Sequence, residues 1–155
     1  MIEKQPSSRS CFVCGRDNPA GLGTRWIADR AAGEVRASVI LEERFHGFPG
    51  LVHGGIVAAL LDEAMVRALL LDGEFEDLMV TARMEVTFRR ATPTGEPVTA
   101  VGRIVKHAGS RAHAEAEVRL SDGTVAARAE GLLLRQPAEV AAAWAKERPH
   151  WRVDE

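Results

Sequence analysis

Several features are scarce in this 155-residue chain, and each scarcity removes a class of function. It has no Tyr and only five Phe, so nothing points to a dedicated aryl pocket. Neither sign of charge dominates: 20 Lys and Arg face 22 Asp and Glu, and a net charge of -2 makes no broad positive field for nucleic acid. No apolar run is long enough to cross a bilayer, because Gly55 to Leu71 is broken by Asp62, Glu63 and Arg67. The opening MIEKQPSSRS has no apolar signal region, so a cytoplasmic protein without membrane contact is expected. Cysteine is confined to Cys11 and Cys14. A closed tetrahedral metal site needs four donors and no second Cys or His pair follows, so no metal is expected unless a second chain or distant histidines complete the set. Asn18-Pro19-Ala20-Gly21 after the pair is turn chemistry, not the helix start of a redox Cys-x-x-Cys, and a packed terminal turn is the simplest reading. Repeats and linkers are also missing, and the length suits one domain with a core.

What is present divides into two periods. After a polar stretch read as a flexible tail (1–10), Thr24 to Asp29 and Glu34 to Ile40 read as short strands. The loop FHGFPG then leads to a long apolar segment that stops at Asp72-Gly73, a helix-end signal. The second half alternates. Met84, Val86 and Phe88 interleave with polar residues, as do Ala112, Ala114, Ala116, Val118 and Leu120, and Glu96 to Lys106 also suits a strand. Strands over 111–120 and 124–134 meet at Asp122-Gly123, a tight hairpin turn, and Pro137 to Lys146 reads as a short helix. The expectation is therefore α+β: about six antiparallel strands wrapped around one long central helix, spanning 11–136, with a C-terminal helix and tail over 137–155. Because the helix is apolar almost all round, it should be enclosed, and the open sheet edges should be covered by dimerisation.

Two adjacent carboxylates interrupt that helix. Glu63 precedes Arg67 by four residues, an orientation that pairs them, here expected on a wet face where loss of Glu63 would matter little. Asp62 has only Ala58, Ala59, Met65 and Val66 at helical neighbour spacing. An acid so placed needs a partner from outside the helix or serves a catalytic task. Ahead of it, Gly54 and Gly55 sit at the helix start, where side-chain-free backbone leaves N–H groups open to a ligand and the helix dipole favours a developing oxyanion. Asp62 lies seven residues beyond Gly55, roughly 10 Å along the axis. One chain cannot bring the two together, whereas antiparallel helices of a dimer can.

His53-Gly54-Gly55 with Asp62 nine residues after the His, Leu61-Asp62-Glu63-Ala64, Thr81 leading into ARMEVTFRR and ATPTG, and the N-terminal CFVCGRDNPAGL resemble the hotdog-fold acyl-CoA thioesterases of the phenylacetate-pathway (PaaI-like) type over about residues 11 to 134. The resemblance implies hydrolysis of an acyl-CoA at a dimer interface, in a homodimer or dimer of dimers, with coenzyme A present only as part of the substrate. It implies Asp62 as nucleophile or general base, the Gly55 N–H holding the thioester carbonyl, His53 orienting the site or capping its loop, and Thr81 positioning water. Gly54, Arg89, Arg90, Lys106, Gly109, Ser110 and Arg111 are the expected coenzyme A contacts. Relatives place an Asn six residues before the His; here that position is Gly47, beside His46. A non-catalytic acyl-CoA-binding or sensing role, a hydratase, and a zinc-bridged dimer through Cys11 and Cys14 are the competing readings.

Overall fold

Small residues on one face set how closely helix and sheet approach. In β8 (Arg111–Arg119), Ala112, Ala114, Ala116 and Val118 are buried while the residues between them face outward. The same arrangement recurs in β7 (Pro97–Ala108) and β9 (Val125–Leu134), where Val98, Ala100, Ala127 and Ala129 turn inward. The computed structural model, describing residues 1–155, lays α1 (Gly54–Ala68) across this carpet of short side chains. At Gly102 the approach is so close that a Cβ would overlap the Ala64 carbonyl, which excludes any larger residue there.

Seven antiparallel strands form the sheet: β1 (Ile2–Lys4), β2 (Ile27–Asp29), β3 (Glu34–Ile40), β7, β8, β9 and β6 (Val80–Phe88), in that spatial order. A small hairpin of β4 (His46–Phe48) and β5 (Leu51–Val52) leads into α1. α1 ends in a 3-10 turn over Leu69–Leu71, just before the expected Asp72-Gly73 stop, and α2 (Ala138–Ala145) follows the sheet. The fold is that of the hotdog proteins, as the sequence suggests.

Three expectations change. The first ten residues are built in: Ile2–Lys4 covers the β2 edge, and the Ser7 and Arg152 backbones pair. Strand pairing needs backbone rather than apolar side chains, which is why a polar segment joins the sheet. The C-terminal residues also return to the body, where the Trp151 ring stands edge-on to Phe75 at 5.6 Å. Arg67 is not on a wet face. It is 1% exposed, its Nη1 donates to the Pro6 carbonyl, and its guanidinium lies 4.8 Å from the Trp151 ring centroid. Both terminal segments cover it, so its pair with Glu63 is an interior one.

Candidate active site

Asp62 finds its partner outside the helix. Thr81, on β6, donates its hydroxyl to Asp62 Oδ1, and both residues are half-buried. The Oδ2 atom is left for other chemistry. The half-exposed residues Ala59, Asp62 and Val66 form one line along α1, on the side facing β6. β6 is itself the last strand of the sheet, paired only with β9. A half-open helix face thus runs beside an unpaired strand edge.

The other half of the expected site lies at the helix start. His53 is the N-cap: its Nδ1 accepts the Gly55 N–H at 2.9 Å. A neutral ring accepting at Nδ1 carries its proton on Nε2, so His53 presents an exposed N–H donor. The Gly55 N–H expected to hold a carbonyl is therefore already used, and the free donor is the neighbouring Gly54 N–H, which bonds to nothing in the chain. At Gly47, where relatives place an Asn, a Cβ would lie 3.2–3.3 Å from the His53 backbone and ring. His46, next to it, has its Nδ1 2.6 Å from the Glu43 carbonyl within its own turn.

Strand register separates the expected coenzyme A contacts into two groups. Arg89 and Arg90 follow the end of β6 at Phe88 and share a cleft of about 320 Å³ with Gly54, Val57 and Thr92. Lys106, Gly109, Ser110 and Arg111 surround the β7–β8 turn, exposed, with Gly109 at φ 60°. Ala112 pairs with Leu133 and Leu133 with Thr81, so this turn shares the sheet end that holds Asp62. Thr81 and Phe88 are seven residues apart on β6, about 23 Å at strand rise. The expected site residues of one chain therefore fall into two groups: Gly54, His53, Arg89 and Arg90 at one end, and Asp62, Thr81 and the Gly109–Arg111 turn at the other.

Sequence reasoning missed a second cluster. Glu63, adjacent to Asp62 but on another face of α1, stands beside Cys11 and Cys14, with ligating atoms of all three within 4.8 Å of one another. Glu63 Oε1 accepts Arg67 Nε at 2.8 Å and Oε2 lies 3.9 Å from Cys11 Sγ. The hydrogen bond with the Cys14 thiol is the largest influence holding Cys11 below an ordinary thiol, at about 7, and it pushes Cys14 up. Glu63 is 52 residues from Cys11, so no local signal could have joined them.

Comparison with known proteins supplies the context. The sequence profile of the thioesterase superfamily matches residues 49–127. A thioesterase superfamily protein of known crystal structure is 31% identical, with a TM-score of 0.74 over 81% of this chain and 60% of its own. This chain thus spans about three-fifths of that protein's length. The PaaI protein of the E. coli phenylacetic acid degradation operon is similar at 18% identity and a TM-score of 0.61, over 66% of this chain and 76% of its own. A Streptococcus mutans UA159 protein bound to acetyl CoA is similar at 18% identity and a TM-score of 0.60, over 67% and 85%. A search of curated proteins finds no match.

Proposed function

This chain belongs to the thioesterase superfamily, and from that premise we propose that it hydrolyses an acyl-CoA thioester to a free acid and coenzyme A in a site built by two copies of the chain. The observation that carries the reading is the separation of the half-sites. The free Gly54 N–H and the Asp62 carboxylate are eight residues apart on one helix, about 12 Å along its axis. Two α1 helices packed antiparallel, along the half-open face beside the β6 edge, bring Asp62 of one chain to Gly54 of the other.

In that arrangement the Gly54 N–H, strengthened by the positive end of the helix, polarises the thioester carbonyl and holds the oxyanion formed on attack. The exposed His53 Nε2–H adds a second donor at the same mouth. Asp62 either attacks the carbonyl carbon, giving an anhydride that water opens, or takes a proton from the attacking water and returns it to the departing coenzyme A sulfur. Thr81 orients it by donating to Oδ1. Arg89 and Arg90 of the chain that supplies Gly54, with Lys106 and the Gly109–Arg111 turn of the other, offer cations and backbone donors to the nucleotide phosphates.

The test is a screen of short, medium, long and aryl CoA esters for thiol release, with Asp62→Asn beside the wild type. Asn keeps the Thr81 hydrogen bond but neither attacks nor accepts a proton. Turnover is expected to fall at least a hundredfold, about 2.7 kcal/mol of barrier, with circular dichroism and oligomeric state unchanged. Wild-type turnover in the variant overturns the role given to Asp62, and no hydrolysis of any ester by the wild type overturns the reading in favour of a non-catalytic acyl-CoA-binding protein.

A further inference from the structure

Behind Asp62, on the side of α1 away from β6, four chemistry-bearing side chains meet that the thioesterase reading does not use: Cys11, Cys14, Glu63 and Arg67. The turn that carries the cysteines has the features of a metal knuckle. The Val13 N–H donates to Cys11 Sγ at 3.3 Å. Gly15 follows at a point where a Cβ would overlap the Cys11 carbonyl and amide. An amide donor favours thiolate over thiol at Cys11, and a bound metal holds the sulfur in that form.

We propose that Cys11, Cys14 and Glu63 bind one divalent cation of the zinc class within a single chain, with the fourth position open to water, as a clamp between the N-terminal segment and α1. Donor geometry fits. At zinc–sulfur and zinc–oxygen distances of about 2.3 and 2.0 Å, a tetrahedral centre sets sulfur and oxygen about 3.5 Å apart. Cys11 Sγ and Glu63 Oε2 are 3.9 Å apart, and no pair in the trio exceeds 4.8 Å, so small side-chain rotations close the site. The two Glu63 oxygens divide the work: Oε1 holds Arg67 and Oε2 faces Cys11.

Charge also balances. Binding releases the two thiol protons, and the sum of two thiolates, one carboxylate, one guanidinium and one divalent ion is zero, which suits a cluster with Cys14 and Arg67 each 1% exposed. Arg67 contributes an independent sign. Its Nη2 is buried without a hydrogen-bond partner, and the guanidinium lies against Cys14. A thiolate at Cys14 gives that N–H an acceptor. The zinc-bridged dimer allowed by the two cysteines alone is not needed, because Glu63 supplies the third donor from the same chain.

The experiment is a titration of chelator-treated, fully reduced protein with Zn²⁺ and, separately, with Co²⁺, whose thiolate charge-transfer absorption reports sulfur ligation. One ion per protomer, with thiolate bands from Co²⁺ and a raised melting temperature, is expected. Cys11→Ser, at the half-exposed member of the trio, should lose the Co²⁺ bands and weaken Zn²⁺ binding at least tenfold while its metal-free melt matches that of metal-free wild type. Absence of thiolate bands, one ion per two protomers, or undiminished binding by Cys11→Ser overturns the proposal. Each readout is independent of thioester hydrolysis.

Discussion

Glu63→Gln is expected to be among the most damaging single changes outside the small-residue carpet, although it only exchanges one carboxylate oxygen for an amide nitrogen. In the native protein the Arg67 guanidinium is held by Glu63 Oε1 at 2.8 Å, by the Pro6 carbonyl, and by the Trp151 face. Glu63 itself has only 16% of its side chain exposed. Gln still accepts the Nε hydrogen bond, but the countercharge disappears and a full positive charge is left in the interior. Breaking a buried pair in this way costs about 3 kcal/mol or more. Urea denaturation followed by circular dichroism, with chelator present so that bound metal plays no part, measures the loss as a shift of midpoint at constant slope. Removing the charge as well, in Glu63→Gln with Arg67→Met, should recover most of the loss, because a flexible apolar chain of similar reach fills the space without a charge. A loss below about 1 kcal/mol for the single variant, or a double variant no more stable than the single one, refutes the reasoning that Arg67 is an interior cation.

The remaining predictions concern chemistry at the two clusters. Arg89→Ala with Arg90→Ala should raise KM for an acyl-CoA severalfold with kcat little changed, and the effect should shrink for an acyl thioester lacking the nucleotide; a fall in kcat alone contradicts their phosphate-binding role. In reduced, metal-free protein, Cys11 should be alkylated ahead of Cys14, its rate rising with pH and levelling near its value of about 7 as the thiolate fills. Levelling only near the ordinary thiol value contradicts that. Bound Zn²⁺ should protect it.

Local pattern carried most of the architecture. The alternation of Ala112 to Val118 names the inward face of β8, and Asp122-Gly123 marks its turn, where Gly123 takes φ 85°. Asp62 could be singled out because helix spacing leaves it without a partner in its own element; that its partner is Thr81 rests on a contact 19 residues away. Long-range coverage was not legible. A Glu and an Arg four apart look the same on a surface helix and on a buried one, and only the return of Pro6 and Trp151 decides between them. The choice between Gly54 and Gly55 as the free donor depends on which way the His53 ring turns, a property of the cap geometry rather than of the residue order.

The central claim, that Asp62 of one chain serves Gly54 of another, is tested most directly by a hybrid of two disabled chains. Gly54→Pro removes the free backbone donor while leaving the helix intact: Pro suits the first helical position, His53 before it already has φ -58° and ψ 134°, and the added Cβ meets only Phe88 at ordinary contact distance. Asp62→Asn disables the other half-site. A hybrid dimer isolated through different tags on the two chains is expected to regain roughly half the wild-type turnover, because one of its two sites draws Gly54 and Asp62 from unmodified positions. A hybrid as inactive as either parent dimer contradicts the claim.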